Sequence, residues 1–143
     1  MKKLLPEILK EANKLATREE RIEFLRQNDS PALRDIIRIA FDKDVISMLP
    51  EGAPPYTPDD APEGYAPSSL YKKFREFRFY FKGPVAEGLK PLKREEMFVK
   101  LLESIHSSEA ELLVRAKDRI LHKKLMGITR KLCQDAFPGL IAK

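Results

Sequence analysis

The stretch SPALRDIIRIAF, residues 30–41, decides the fold of this chain. Its apolar residues recur at the spacing of one helical face and form the clearest core stripe of the N-terminal half: Leu33, Ile36, Ile37, Ala40 and Phe41. Ser30 can accept the free N–H groups of a first turn, and Pro31 suits the first helical position, where no N–H is needed. The stretch therefore predicts a capped helix with one buried face.

Two further helical patterns precede this stretch. Apolar residues at helical spacing over residues 4–16 predict a first helix. Thr17 and Glu20 have the spacing of a capping box, which predicts that a second helix starts there, with Ile22 and Leu25 on its inner face. The first 43 residues are therefore expected to be an N-terminal helical group.

The segment that follows, residues 44–67, cannot be helical. It contains six of the 11 prolines of the chain, all within residues 50–67, and proline both removes a backbone donor and clashes with the preceding turn. We call residues 44–67 the strap. It is either a free linker or an extended segment docked on this chain or on a partner. Apolar side chains, which pure linkers usually lack, favour docking, with these anchors: Met48, Leu49, Tyr56 and Tyr65.

Regular structure resumes at Ser68 and continues over residues 68–143. Apolar side chains at i, i+4, i+7 and i+11 predict one helix over residues 70–82, with this face: Leu70, Phe74, Phe77 and Phe81. Pro91 is suited to open the next helix. Ser108 with Glu111 predicts the cap of another, and Thr129 that of a short last helix. The chain is therefore predicted to be all-α, with six or seven short helices in one compact, co-folded bundle.

Charge is distributed unevenly along the chain. Residues 1–43 carry 10 basic and 8 acidic side chains, residues 44–71 carry five acidic and no basic ones, and residues 72–143 carry 17 basic and 9 acidic ones. An acidic strap thus precedes a basic second half. One arrangement that this favours has the strap folded back over the basic half, masking part of its surface.

The basic side chains are the strongest functional signal. Residues 115–131 contain seven Lys or Arg and a single acid, Asp118, and such a cluster can neutralise phosphates. The aromatic and basic segment 70–82 could combine stacking with charge, although phenylalanines at helical spacing are also typical of a core. The candidate residues for binding nucleic acid or a partner are Lys72, Lys73, Arg75, Arg78, Arg115, Arg119, Lys123, Lys124, Arg130 and Lys131.

Catalytic and metal-binding signatures are absent from the sequence. The two histidines and one cysteine are too dispersed for closed metal-ligand spacing. His106 is expected at a helix end, His122 in a basic turn, and Cys133 in the core. A Cys–His pair stays open as an alternative. We therefore predict a protein that is not an enzyme and has no cofactor, and the basic side chains favour one that binds another protein, DNA or RNA.

The sequence also bears on location. No apolar run approaches the roughly 20 residues needed to span a bilayer. Glu7, Lys10 and Glu11 interrupt any apolar region of a secretion signal. One cysteine cannot form an internal disulfide, which fits a reducing compartment. These features predict a cytosolic protein without a membrane span.

Three stretches resemble a known family: LRDIIRIAFDKDVISMLPEGAPPY (residues 33–56), REEMFVKLLESIHSSEAELLVRAKD (residues 94–118) and ITRKLCQDAFPGL (residues 128–140). They are similar to an uncharacterised family of small proteins from large contractile-tailed phages, including cyanophages. The resemblance implies a phage protein that acts in the cytoplasm of the host bacterium, where its protein partner would be a host or phage protein, and it supplies no catalytic residues. The leading hypothesis is a non-enzymatic accessory protein that associates with replication or transcription machinery through its basic half. The alternative is a protein-interaction module, such as a host-protein inhibitor or a virion assembly factor.

Overall fold

The structure of the chain, a computed structural model, describes residues 3–62 and 65–141 and confirms the all-α prediction. Within these residues there are eight α-helices: α1 (Leu5–Lys14), α2 (Arg18–Gln27), α3 (Pro31–Phe41), α4 (Leu70–Lys73), α5 (Pro84–Glu87), α6 (Pro91–Ser104), α7 (Ser107–Lys117) and α8 (Arg130–Ala136). Two 3₁₀ helices, Phe74–Phe79 and Leu121–Lys123, follow α4 and α7. The only strap carboxylate outside the described residues is that of Glu63.

The N-terminal caps form largely where the sequence predicts them. The hydroxyl oxygens of Thr17, Ser30 and Thr129 accept backbone N–H groups of the first turns of α2, α3 and α8 at 3.1–3.2 Å. The predicted cap of α7 at Ser108 is wrong. His106 is the capping residue instead, and its Nδ1 accepts the N–H of Ser108 at 3.0 Å. The imidazole of His106 therefore caps the helix, a role that the capping-box pattern assigned to Ser108, two residues later.

The helix α7 lies at the centre of the fold. It packs against α1, α3 and α6, and it is apolar on most sides, with these buried residues: Ala110, Leu112, Leu113, Val114 and Ala116. The helix α2 packs against both α1 and α8. The N-terminal and C-terminal helical groups therefore contribute to one hydrophobic core.

Each end of α7 carries a buried charged residue. Glu109, in the first turn, is fully buried, and Lys117, at the last position, is 5% exposed. The helix macrodipole favours an anion at the N-terminus and a cation at the C-terminus, each by roughly 0.3–1 kcal/mol. Lys117 is therefore placed with the sign that the helix stabilises, whereas burial favours the protonated form of Glu109 over the anion that this helix end would stabilise.

The predicted single helix over residues 70–82 is wrong in its second half. One α-helical turn, α4, gives way to the 3₁₀ helix Phe74–Phe79, and Phe81 then forms an isolated antiparallel bridge with Ser47. The N–H of Met48 donates to the carbonyl of Tyr80 at 2.9 Å, and that of Lys82 to Ile46 at 2.7 Å. Pairing with the strap therefore takes over the backbone groups that a longer helix would have used.

The strap is docked, and basic side chains of the second half hold it by its backbone carbonyls. The Lys117 ammonium donates to the carbonyls of Pro50 and Gly52 at 3.0 and 2.9 Å. The Arg94 guanidinium reaches the carbonyl of Met48 at 3.4 Å. Leu49 and Tyr56 pack against the core. Tyr65, by contrast, is 74% exposed and is not an anchor, because its ring finds no apolar surface to cover it.

The carboxylates of the strap contribute less to its docking than the net negative charge of the segment would predict. Across residues 3–62 and 65–141, no ion pair involves a strap carboxylate. The carbonyl oxygens, which are sequence-independent acceptors, bind the cations instead. The strap thus folds back over the basic half, as one predicted arrangement had it. Its backbone carbonyls, rather than its carboxylates, bind the basic side chains.

Arg119 connects the end of α7 to the strap. It has φ of 59°, and it sits in a Schellman motif, in which Arg119 N–H donates to Ala116 and Ile120 N–H to Arg115, both at 3.0 Å. This left-handed position usually holds glycine, because other residues strain there by roughly 1–2 kcal/mol. The guanidinium donates to the carbonyl of Asp42 at 2.7 Å and to that of Val45. These hydrogen bonds offset the strain.

Candidate functional site

The basic residues predicted to bind a partner lie in several different environments. Arg119 holds the strap, as described above, and Lys117, which belongs to the same basic run, has a side chain that is only 1% exposed. The Lys117 ammonium is also 2.6 Å from the Asp118 carboxylate. Both side chains therefore bind backbone carbonyls of the preceding half; Arg119 is itself exposed, and its contact with nucleic acid or a partner stays a prediction.

Two of the predicted residues, Arg115 and Lys124, meet in a groove between α1 and α7. We call it the basic groove; its volume is about 340 Å³, and it is lined by Pro6, Lys10, Asn13, Lys14, Ser108, Glu111, Leu112, Arg115, Leu121, Lys124 and Leu125. Four cationic side chains thus surround a single carboxylate.

The carboxylate in the basic groove, that of Glu111, binds both predicted cations. Its Oε1 lies 2.8 Å from the Lys124 ammonium and 2.8 Å from the Arg115 guanidinium. The hydrogen bond from Lys124 lowers the pKa of Glu111, so the carboxylate is ionised near neutral pH. Because these pairs are solvent-accessible, each contributes only about 0.2–1 kcal/mol. An incoming phosphate can therefore compete with Glu111 for either cation.

Lys10 and Lys14 are the residues of this groove that sequence reasoning missed. They stand four positions apart on α1, so they share one helical face, and both are exposed. The first 43 residues are almost balanced in charge, which hid this local excess. The i, i+4 spacing on the polar face of α1 was the signal available in the sequence.

The basic residues of segment 70–82 do not line the basic groove. Lys73 lies 3.1 Å from the Glu76 carboxylate, and Arg75 and Arg78 lie over the rings of Phe74 and Phe79. Lys72 is exposed on α4. The two arginines cover aromatic rings of their own segment, so the arrangement matches a solvated face better than a stacking platform.

The aromatic rings of the same segment belong to the core. Phe77 is 5% exposed and Tyr80 is fully buried, with its ring edge against Phe98 at a centroid distance of 5.2 Å. Burial raises the pKa of Tyr80 well above its usual range. Phe74 and Phe79 are half-buried against the core. The core interpretation of the phenylalanines therefore fits the structure.

The last three predicted residues lie in the 3₁₀ helix Leu121–Lys123 and in α8, and they are Lys123, Arg130 and Lys131. Lys123 is exposed in the 3₁₀ helix Leu121–Lys123. Arg130 is half-buried at the first position of α8, and Lys131 lies 3.4 Å from the Asp135 carboxylate. Asp135 also pairs with Arg18 of α2. Part of this basic cluster therefore serves the contact between α2 and α8.

A second groove runs between the strap and α6. We call it the strap groove; its volume is about 550 Å³, and it is lined by Leu49, Pro50, Glu51, Gly52, Ala53, Pro54, Pro55, Glu95, Glu96, Phe98, Val99, Lys100, Glu103 and Lys117. Its chemistry is opposite to that of the basic groove, because it combines apolar residues and prolines with four glutamates. Only the strap anchor Leu49 was predicted from the sequence.

The residues considered for catalysis are each accounted for by the fold. Cys133 is fully buried, and this burial raises the pKa of its thiol to about 12, so the thiol stays protonated at neutral pH. His106 caps α7 through Nδ1, which also lies 2.7 Å from the Ser108 hydroxyl. His122 is exposed. The structure thus does not bring together the Cys–His pair that the sequence left open.

Between residues 3–62 and 65–141, no three His, Cys, Asp or Glu side chains come together as a metal-binding group. None of the helices in these ranges has the length and apolar character that crossing a bilayer requires.

Comparison with known protein families identifies the family to which the chain belongs. None of the curated proteins with which it was compared matches it significantly. Residues 8–123, well over half of the chain, match a family of unknown function, DUF6433. The match runs from α1 through the strap to the turn after α7, so it includes every residue that lines the strap groove. The chain therefore belongs to the DUF6433 family.

Proposed function

We propose that this protein is a non-enzymatic accessory protein that binds nucleic acid through the basic groove, within replication or transcription machinery. The observation that carries the proposal is the convergence of four cations: Lys10 and Lys14 of α1, Arg115 of α7, and Lys124 from the segment after α7. Phosphate contacts by Lys and Arg supply most of the affinity of non-specific nucleic-acid binding. The phage origin and the host cytoplasm are part of the proposal, and they rest on the resemblance of the three sequence stretches.

The geometry of the basic groove suits a phosphate backbone. Arg115 presents a planar fork of donors, whereas the three lysines present compact charges on flexible stems. Glu111 holds Arg115 and Lys124 close together in the absence of a ligand. Its own negative charge would repel a phosphate, so binding requires the two cations to turn from Glu111 toward the ligand. The exposed ion pairs cost little to exchange in this way.

The experiment that tests the proposal is fluorescence anisotropy with labelled double-stranded DNA, single-stranded DNA and single-stranded RNA. We expect the full chain to bind at least one of them with an affinity that falls steeply between about 50 and 200 mM salt. The double variant Lys10→Glu/Lys14→Glu should weaken binding about tenfold or more and flatten the salt dependence, because two phosphate contacts are lost.

The matched control is Lys43→Glu/Lys82→Glu, which makes the same charge change at two exposed lysines outside the groove. It should retain most of the affinity. Absence of binding by the unmodified chain at low salt, or equal losses in the two double variants, would contradict nucleic-acid binding through the basic groove. The comparison of the three probes distinguishes DNA from RNA.

The strap groove favours a second function, that of a protein-interaction module such as a host-protein inhibitor or a virion assembly factor. Affinity purification from bacteria, with and without nuclease, separates the two functions. A stoichiometric protein partner that survives nuclease treatment supports the second function, and one that is lost with the nucleic acid supports the first.

A further inference from the structure

We propose that the strap groove is the docking site for a basic segment of a partner protein. One apolar side chain of that segment enters the groove, and its neighbouring lysines or arginines meet the glutamates of the rim. The site does not overlap the basic groove, since the two share no lining residue. Docking there can therefore succeed or fail independently of nucleic-acid binding.

The strap groove is held open by polar contacts beneath and beside it. The Lys117 ammonium binds the carbonyls of Pro50 and Gly52, and the N–H of Gly52 donates to the Asp118 carboxylate at 3.0 Å. Further along the strap, the N–H of Thr57 donates to Glu103 of α6 at 2.9 Å. A wall fixed at both ends does not have to be ordered when a ligand arrives, which lowers the entropic cost of binding.

The floor of the groove offers apolar contact rather than backbone pairing. It is formed by Leu49, Phe98 and Val99, and Pro54 and Pro55 contribute to the wall. Prolines have no N–H to donate, so a peptide cannot add to this part of the strap as a regular β-strand. Recognition must therefore come from side chains, and a volume of about 550 Å³ accommodates a large apolar one with its neighbours.

The charges of the rim determine which segment fits. Four carboxylates line the groove: Glu51, Glu95, Glu96 and Glu103. Of its two lysines, Lys117 is already paired with Asp118 and buried, which leaves Lys100 as the lysine whose charge faces the four carboxylates. This excess of negative charge attracts cationic residues and repels nucleic acid and acidic peptides. Together with the apolar floor, it identifies the occupant as a segment that is both basic and apolar.

The test uses fluorescein-labelled peptides and the full chain. The first peptide carries leucines flanked by lysines; in the second, serines replace the leucines; in the third, glutamates replace the lysines. We expect the first to bind with an affinity that decreases as salt increases, and the other two to bind at least about tenfold more weakly, because each lacks one of the two kinds of contact.

The variant Glu51→Lys/Glu96→Lys reverses two exposed charges of the rim, and Glu19→Lys/Glu87→Lys makes the same change at two exposed glutamates outside the groove. The rim variant should lose about tenfold or more in affinity for the first peptide, and the control should keep it. Val99→Ala, which shortens a half-buried floor side chain, should weaken binding without altering its salt dependence.

Three results would overturn the proposal. The first is equal affinity of the rim variant and its control for the leucine–lysine peptide, and the second is binding of the glutamate peptide as tight as that of the lysine peptide. The third is failure of every peptide to bind, together with self-association in sedimentation that the rim variant abolishes, which would assign the groove to a second copy of the chain. Circular dichroism of each variant verifies that it is folded.

Discussion

Glu109 brings a carboxylate into the centre of the fold, beside the start of α4. Its Oε2 accepts the N–H of Leu70 at 3.1 Å, where Ser69 makes no side-chain cap, whereas Oε1 is buried without a hydrogen-bond partner in the described part of the chain. Burial raises the pKa of Glu109 to about 7, although the hydrogen bond from Leu70 opposes this shift. Glu109 therefore caps α4, a helix distant in sequence, and this cap requires a carboxyl group to be buried.

This environment predicts a pH-dependent stability. The folded chain holds a proton on Glu109 that the unfolded chain releases near pH 4.5. The contribution of the protonated residue is therefore complete below about pH 4.5 and is lost as the pH rises through about 7. Glu109→Gln does not titrate, so its stability relative to the unmodified chain should increase over this window by up to about 3 kcal/mol.

Urea denaturation of both proteins at a series of pH values checks this prediction. The comparison cancels the contributions of all the other titratable groups, which both proteins contain. A difference in the free energy of unfolding that stays constant from pH 4 to 8 would show that the pKa of Glu109 is the same in the folded and unfolded states, and would contradict the prediction.

At the residue scale, sequence reasoning succeeded where the interaction is local. Thr17 and Ser30 cap helices that start within three residues, so a short pattern is sufficient to identify them. The basic run of residues 115–131, which includes Lys117 and Arg119, predicts a binding surface, because the backbone carbonyls that these two residues contact lie 65–77 positions away and leave no local pattern. Lys10 and Lys14 face α7 only once the bundle has formed, so their groove could not be predicted.

At the scale of elements, the strap depends on a few side chains from the second half. In its described residues, 44–62 and 65–67, the strap has no regular secondary structure beyond isolated bridges at Ser47 and Asp59. The composition of the segment predicts that no helix crosses it, but the choice between a free and a docked strap required Lys117, Arg94 and Arg119 to be located. The same pairing explains why the helical pattern of residues 70–82 fails beyond α4, since Phe81 bridges to the strap.

Lys117→Met should release the strap. The variant leaves two carbonyls and the Asp118 carboxylate without their buried cation, a loss of about 3–5 kcal/mol. We expect chymotrypsin to cleave the variant rapidly after Tyr56 and the unmodified chain slowly. Lys100→Met, which removes an exposed lysine of the same groove, should resist cleavage as the unmodified chain does.

A milder variant separates release of the strap from global unfolding. Gly52 has φ of 89°, a conformation that strains any residue with a side chain by roughly 1–2 kcal/mol. Gly52→Ala should therefore accelerate cleavage while the circular dichroism of the helices is preserved. If both Lys117→Met and Gly52→Ala are as resistant as the unmodified chain, these contacts do not determine the docking of the strap.

At the scale of the whole molecule, the two helical groups depend on each other. The helix α3 packs on α7, and α2 packs on α8, where the Arg26 guanidinium donates to the carbonyls of Asp135 and Ala136, both at 2.9 Å. The sequence predicts two groups on either side of the strap, since prolines interrupt the helical pattern. The pattern of apolar faces indicates that each group has a buried side, but not that the other group covers it.

Separate fragments spanning residues 1–43 and 68–143 should therefore fail to fold alone. The first is too short to bury an adequate core, and the second exposes the surface of α7 that α3 covers. We expect far-UV circular dichroism of each to lack a cooperative melting transition, and the intact chain to melt in one transition. A sigmoidal melt of either fragment by itself would identify it as an independent domain.

The left-handed position of Arg119 also has a consequence for the order of folding. The guanidinium reaches the carbonyls of Asp42 and Val45 from a backbone conformation that exists only after α7 has ended at its native residue. Arg119 can therefore bind the start of the strap only after α7 has formed completely. The start of the strap should accordingly be among the last segments to close during refolding and among the first to open in the native state.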